Sequence, residues 1–347
     1  TVTQQLVEEN GVHTLKIDAP EKSWGNQFFL FGLGMSTNFD GRGAFNVNLG
    51  HRYPWLTQSG LEWRNDIVLG SNRASIHTEL RQPLWQARGF YVAPYAEYSR
   101  RRSDLYFDDE APTKDAKPFN SMTLETARAG VDLGIPLGRK GELRLGVNYM
   151  SKSAAFNYLA LTEEGALDLP TLRAKQPAFR AQLTLDQLDD PLFPRSGYYF
   201  YSSVEAGFGS LDKKFNTAQA KGLWATSYGR HTFNVALEGA GQFGVNSPTR
   251  ENDGNTGNGA NEGFFLGGFQ HLSAYAQDQF NGQYMLYGRL TYLYDLRVDD
   301  LLGLRAPVFG ASAEAGNVWQ LRNNFGRGPY LKSGSVFVGG NSPIGPL

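Results

Sequence analysis

The chain has 347 residues, 41% of them hydrophobic and 13% aromatic, with 41 glycines, no cysteine and a formal net charge of −1; its mean hydropathy is −0.41. The lack of cysteine excludes disulfides and thiolate metal sites, and the balanced charge gives no field to recruit nucleic acid. Apolar runs are a handful of residues long, so no transmembrane helix of roughly 20 apolar residues is available. A membrane barrel with a polar lumen has this soluble-looking composition.

The first expected element is a hairpin. Gln4 to Glu9, Asn10-Gly11 and Val12 to Ile17 predict two strands joined by a type I′ turn. Its place before the first long strand suggests the end of a small periplasmic domain over 1–22. No signal peptide opens the chain, so residue 1 reads as an internal cut.

From residue 23 onward the dominant signal is period-2 alternation in segments of about ten residues. About fourteen segments show it, near 27–39, 42–53, 60–70, 73–82, 89–102, 122–136, 141–152, 176–188, 197–209, 216–228, 231–243, 282–295, 305–317 and 333–341. In 141–150, for example, Leu143, Leu145, Val147 and Tyr149 share one face, and Arg144, Gly146 and Asn148 the other. Phe233, Val235 and Leu237 oppose Asn234, Ala236 and Glu238 in the same way. A one-sided soluble sheet gives the same alternation strand by strand. The number of segments, and polar faces carrying both charge signs, point instead to a barrel with a hydrated lumen.

Connection lengths sort by parity. Odd-to-even connections include the long 103–121, 153–175, 244–281 and 318–332. Even-to-odd ones are short, as at 54–59, 83–88, 137–140, 189–196 and Gly229-Arg230. Outer-membrane barrels have short periplasmic turns and long external loops. The expected fold is therefore all-β, a transmembrane antiparallel β-barrel over 23–347 in the bacterial outer membrane, with the N-terminus periplasmic. After Val336 to Gly339, the turn Asn341-Ser342-Pro343-Ile344-Gly345-Pro346 leaves Leu347 to begin another strand. Barrels of this type close with an even number of strands, and sixteen are expected, of which about fourteen are visible.

Little suggests covalent chemistry. His13, His51, His77, His231 and His271 lack metal spacing, and neither a G-x-S-x-G elbow nor a phosphate loop is present. Carboxylates at Glu62, Asp66, Glu79, Asp132, Asp186, Glu238 and Glu314 read as a salt-bridged lumen wall. No catalytic, cofactor-binding or metal-binding residues are assigned, and the chain does not read as an enzyme by itself.

Two segments stand apart. Asp190-Pro191-Leu192-Phe193-Pro194-Arg195-Ser196-Gly197-Tyr198 has good turn chemistry. The 38-residue connection 244–281 opens on a Gly/Asn-rich stretch, Asn252 to Asn261. It then turns apolar at Phe264-Phe265-Leu266-Gly267-Gly268-Phe269 and Leu272-Ser273-Ala274-Tyr275. Long loops are usually functional or disordered, and exposed loops should not be this apolar, so this one is expected to pack inside the barrel.

At these residues the chain resembles a known superfamily. Phe193, Pro194, Arg195 and Gly197 match the F-P-R-x-G turn of outer-membrane insertases and two-partner-secretion transporters. There the sixth external loop folds into a sixteen-strand barrel, and an Arg in its apolar-R-G-[FY] tip pairs with a wall carboxylate. Here Leu272-Ser273-Ala274-Tyr275 stands at that place. Ser273 can hydrogen-bond but cannot form an ion pair. With Ala19-Pro20-Glu21-Lys22-Ser23-Trp24-Gly25, Glu79-Leu80-Arg81-Gln82-Pro83-Leu84 and Gly267-Gly268-Phe269, the chain is similar to the translocator barrel of patatin-like (type Vd) autotransporters.

The resemblance implies a polypeptide-transport-associated (POTRA) domain ending in the hairpin of 1–22, and an upstream patatin-like lipase passenger that the barrel secretes. It implies a weak seam at the first strand, where Gly32 and Gly34 lie. Expected partners are the passenger, outer-membrane lipids and lipopolysaccharide, periplasmic chaperones and the barrel-assembly machinery. The alternatives are a two-partner transporter or barrel-assembly factor acting on separate proteins and, from another class, a passive diffusion porin.

Overall fold

A computed structural model describes residues 3–9, 12–18, 25–37, 43–85, 89–105, 120–156, 160–162, 165–167, 171–208, 216–244, 263–298, 300–301, 304–342 and 345–346. Strands β1 (Thr3–Glu9) and β2 (Val12–Asp18) form a separate hairpin whose ladder ends at Glu9↔Val12. The intervening Asn10-Gly11 lies outside the described residues, as do 19–24 and 252–261.

The main sheet contains fourteen long strands. They are β3 (Phe28–Thr37), β4 (Gly43–Tyr53), β5 (Glu62–Gly70), β6 (Arg73–Trp85), β7 (Phe90–Leu105), β8 (Asn120–Pro136), β9 (Gly141–Phe156), β12 (Leu172–Asp186), β13 (Gly197–Gly207), β14 (Thr217–Tyr228), β15 (His231–Gln242), β18 (Tyr284–Asp295), β20 (Leu304–Trp319) and β21 (Leu331–Ser342). Each pairs antiparallel with the next long strand in the chain. Short pairs branch from this meander: β10 (Ala160–Thr162) with β11 (Gly165–Leu167), and β16 (Phe264–Leu266) with β17 (Phe280–Gly282). Strand β19 (Asp300–Leu301) pairs with β20, and β22 (Gly345–Pro346) with the end of β21.

The strands coincide with the fourteen expected segments, with one informative difference. Pro83 reads as the start of a turn, yet β6 runs on to Trp85. A register shift between Pro83 and Trp85 lets it do so, because a bulge accommodates a proline that cannot donate to the ladder.

Burial in the sheet is inside out. On β9, Leu145, Val147 and Tyr149 are 43–53% exposed, whereas Arg144, Asn148 and Met150 are 2–9% exposed. Phe233, Val235 and Leu237 of β15 likewise face outward, with Thr232, Asn234 and Ala236 buried behind them. Water would penalise an apolar outer face of this extent, whereas a hydrocarbon surround rewards it.

The sheet must also curl. Along its order β8 and β18 are six strand spacings apart, about 29 Å if flat. Yet Phe265 packs with Met122 and Leu124 of β8 while its neighbour Leu266 packs with Met285 and Tyr287 of β18. At the ends of the sheet, β22 lies beside β3, and among the described residues no ladder joins them.

Candidate functional site: a loop latched to two walls

The connection between β15 and β18 is described from Gly263 onward. Its apolar residues form a hairpin, β16 pairing with β17 through Phe264↔Gly282 and Leu266↔Phe280. A compact tip spans the two. The Gly267 N–H donates to His271 O at 2.8 Å, and the His271 N–H donates to Gly268 O at 2.9 Å. The Asp278 N–H closes the turn on Gly267 O at 3.3 Å. Gly267 has φ +125°, and a Cβ there would collide with the Ala276 carbonyl oxygen. Gly267→Ala should therefore cost about 1–3 kcal/mol from backbone strain alone, and more from the collision. Limited proteolysis of the loop checks this, with faster cleavage expected in the variant.

The tip is fastened first to Glu314 of β20. Its Oε2 accepts the N–H of Leu272 at 2.9 Å and of Ser273 at 2.6 Å, while Oε1 accepts the Ser273 hydroxyl at 2.7 Å. From the wall, the Ser312 hydroxyl donates to Oε1 at 2.6 Å and the Ser333 hydroxyl to Oε2 at 2.8 Å. Here Ser273 meets the wall carboxylate through hydrogen bonds, without a cation. Leu272, with φ 79°, is fully buried among Ala240, Leu266, Met285 and Tyr287, with Tyr275 packed alongside. Tyr287 OH and Arg289 Nη1 both donate to Gln270 O at 2.7 Å, His271 faces Glu238 at 3.6 Å, and Phe269 meets the Phe337 ring edge-on. Ala274 is exposed and has no contact of this kind among the described residues.

A second fastening lies on the opposite wall. The Asp278 carboxylate accepts Arg101 Nη2 at 2.5 Å, Arg101 Nε at 3.1 Å and Asn72 Nδ2 at 3.0 Å. Arg101 also covers the Phe265 ring at 4.1 Å, whose far side packs on Met122, Leu124 and Ala154. The loop thus crosses the lumen. Sequence reading anticipated an inward loop but not this anchor, since nothing local links residues 177 positions apart. Asp278, itself buried, loses its charge but keeps a polar group in Asp278→Asn, so the change should cost about 1.5–3 kcal/mol, measurable in a double-mutant cycle with Arg101→Gln.

The F-P-R-x-G residues occupy the short-turn rim. Gly197 has φ +104°, and a Cβ there would strike the Gln187 carbonyl oxygen. Arg195 pairs with Asp295 of β18 at 2.7 Å and donates to Gly229 O at 3.2 Å, while Ser227 donates to Arg195 O at 2.6 Å. The Phe193 N–H donates to Asp190 Oδ1 at 2.8 Å, and Pro194 is buried. The turn therefore ties β13 to the ends of β14 and β18.

Asp189 organises this turn by accepting the N–H groups of Asp190, Arg195 and Ser196 at 2.9–3.0 Å. Burial raises its pKa, but the Ser196 and Arg195 N–H bonds outweigh that and leave it below the ordinary value. A depressed carboxylate adds stability that is present above its unfolded pKa, about 3.9, and lost as pH falls through the folded value. Asp189→Asn should accordingly flatten the stability–pH curve below about pH 4, read by denaturant unfolding at a series of pH values.

The Omp85 superfamily domain matches residues 30–347. This chain belongs to the Omp85 superfamily. Among solved structures it is similar to BamA from Haemophilus ducreyi lacking POTRA domains 1–3, with 13% identity and a TM-score of 0.62 over 100% of this chain and 70% of that one. It is also similar to CdiB from Acinetobacter baumannii (12% identity, TM-score 0.55, 99% of this chain and 60% of that one) and CdiB from Escherichia coli (13%, 0.55, 99% and 61%). The chain spans about three fifths of the CdiB chains it matches. At these identities the likeness is one of fold. None of the curated proteins matches the chain in sequence.

As an outer-membrane Omp85 barrel, the chain lines its lumen with ion pairs. Arg144 of β9 reaches Glu79 of β6 at 2.5 Å, Glu142 at 2.8 Å and Asp132 of β8 at 3.7 Å. Arg180 approaches Asp132 at 3.8 Å, Arg52 pairs with Asp66 at 2.9 Å and Arg64 with Glu62 at 2.6 Å. Asp186 ends β12 on the same face as Arg180, Gln182 and Thr184, where it is exposed and accepts the Leu188 N–H at 3.1 Å. At the short-turn rim the lumen opens as a cleft of about 770 Å³ lined by Trp55, Pro83, Tyr91, Pro136, Arg81 and Glu142. Gly32 and Gly34 lie on the Omp85 barrel's edge strand β3, paired with Asn48 and Asn46 of β4.

Proposed function

We propose that this barrel is an outer-membrane translocator that carries its own N-terminal passenger, a patatin-like lipase, to the cell surface. The loop crossing the lumen would act as its movable plug. The observation that carries the reading is the latch itself. An apolar-cored loop spans the lumen between two walls, held at Glu314 by hydroxyl and amide donors that water can replace one at a time. A passive porin needs an open lumen, and this loop argues against it. In this reading the long-loop rim faces outward and the N-terminus is periplasmic. The β1–β2 hairpin closes a POTRA domain, and two further strands complete sixteen at the β3 seam. Lipopolysaccharide surrounds the outer rim, and periplasmic chaperones and the assembly machinery deliver the chain. A transporter for a separate protein fits the barrel equally. The preference for self-secretion rests on the resemblance of the Leu272-Ser273-Ala274-Tyr275 tip.

The barrel chain itself has no cysteine, so thiols introduced at its latch have no native competitor within the barrel. Asn72→Cys with Asp278→Cys, bridged by a short bifunctional thiol reagent, pins the loop to the wall. Passenger exposure at the cell surface should stop and return on cleaving the bridge. Secretion that continues while the bridge is intact sinks the plug. The size of the native protein in outer membranes decides between the two transporter readings. A product larger than this barrel by about 100 residues or more supports a fused passenger, and one barely larger overturns self-secretion.

A further inference from the structure

We propose that the outer surface of β7, β8, β9 and β12 holds a binding site for the phosphorylated head of a lipopolysaccharide molecule. This rests on the reading above in which the long-loop rim faces outward. Directly opposed residues of an antiparallel ladder share a face, so the register defines rows across the four strands. Pro94, Val131, Val147 and Phe179 form one row, and Ala96, Ala129, Tyr149 and Pro177 the next toward the long loops. Both are apolar and outward, with Val131, Val147, Tyr149 and Phe179 all exposed.

The chemistry then changes abruptly. The next row is Tyr98, Ala127, Ser151 and Lys175, and the one beyond it Arg100, Glu125, Ser153 and Arg173. Arg102 lies one step further along the same face of β7. All four cations are exposed, Arg100 by 62% of its side chain. The acidic groups on this face, among the described residues, are Glu125, which meets Arg100 at 3.9 Å and accepts the Tyr98 hydroxyl at 3.0 Å and the Ser153 hydroxyl at 3.5 Å, and Asp104. Among the described residues Arg102, Arg173 and Lys175 have no ion pair. Four cations against two carboxylates, among the described residues, leave this face net positive. At the opposite rim of these strands Arg139 and Lys140 are bonded through their carbonyls to Gln187 and Asp186 of the acidic turn that also holds Asp189 and Asp190, so among the described residues the excess belongs to one leaflet.

The geometry selects the ligand. The patch starts where the hydrocarbon-facing band ends, under the aromatic rings of Tyr98, Tyr149 and Phe179, at headgroup depth. Arg100 and Arg173 are three strand spacings apart, about 14 Å, with the Glu125 carboxylate and the hydroxyls of Ser151 and Ser153 between them. A head with phosphates at both ends of a hydroxyl-rich disaccharide, and acyl chains below, matches this arrangement. Guanidinium forks bind phosphate bidentately, and the acyl chains would lie on Val131, Val147 and Phe179. A single-phosphate glycerolipid would use one end only.

The test uses the full-length protein in detergent, where leaflet orientation plays no part. Native mass spectrometry with added bis-phosphorylated lipid A should show a retained adduct. Fully dephosphorylated lipid A and phosphatidylglycerol should each bind at least about tenfold more weakly. Changing Arg100, Arg102, Arg173 and Lys175 together to Gln should remove the preference, while the heat-modifiable shift on gels confirms a folded barrel. If that variant does not fold, the comparison of lipids on the unaltered protein still decides. Equal binding of all three lipids, or an unchanged preference in the folded variant, overturns the site. Orientation is read separately, by labelling Thr113→Cys, in the long connection between β7 and β8 and outside the proposed site, on intact cells with a membrane-impermeant maleimide. Absence of labelling overturns the outward rim, and with it the proposal, even where lipid A binds in detergent.

Discussion

Glu314→Ala is expected to free the loop tip and convert a closed barrel into a conducting one. Five donors converge on this carboxylate, three from the loop and two from the wall. Hydrogen bonds to charged groups contribute about 1.5–3 kcal/mol each, and bonds sharing one acceptor are not additive. The loop should thus lose on the order of 3 kcal/mol of its closed-state preference, raising the open population about 100-fold. Ser273→Ala removes one donor and leaves both backbone N–H bonds, so its effect should be near tenfold, about 1.4 kcal/mol. Glu314→Gln should fall between them, because its amide NH2 faces N–H groups and cannot accept from them. Planar-bilayer conductance of the purified protein measures the ordering. Conductance in Glu314→Ala that matches the unaltered barrel would show that this carboxylate does not hold the loop.

Arg144→Met is expected to cause the largest loss of stability. Arg144 binds Glu79 through both terminal nitrogens, at 2.5 and 3.2 Å, and Glu142 through Nε. Glu79 is 3% exposed and Asp132 fully buried. Among the described residues, removing the arginine leaves Glu79 with Arg81 at 3.4 Å and His77 at 3.9 Å, and Asp132 with Arg180 at 3.8 Å. Breaking one side of a buried pair costs about 3–5 kcal/mol because the stranded charge keeps its desolvation penalty. Glu79→Gln combined with Arg144→Met removes both charges and should recover a good part of that loss. Urea unfolding of the barrel in detergent tests the cycle. A single-variant cost below about 1 kcal/mol would mean that water screens this network as it would a surface pair.

How legible the molecule was depends on the range of the interaction. The strands follow from local alternation, as on β9, where each second residue is apolar. The Pro83 difference follows from the same range, since a proline signals a turn locally but a bulge only in the presence of β7. For Glu314, sequence identifies a lumen carboxylate among several equivalent ones. Only the fold brings Leu272, Ser273, Ser312 and Ser333 around it. Asp278 carries no sequence signal at all, and its partners Arg101 and Asn72 become neighbours only because the sheet curls. The cationic rows are similar: Arg100, Arg173 and Lys175 are ordinary strand residues until the ladder register aligns β7 through β12.

By itself the sequence determined the class of this protein, its fourteen strands, the parity of their connections and the inward tendency of one apolar loop. These rest on period-2 patterning and turn chemistry, which act over a few residues. The tertiary structure alone decided which wall residues the loop grips, which carboxylates share an arginine, and where positive charge collects on the outer face. Those are meetings between groups far apart in the chain, set by ladder register and sheet curvature, and the local pattern of residues encodes neither separately.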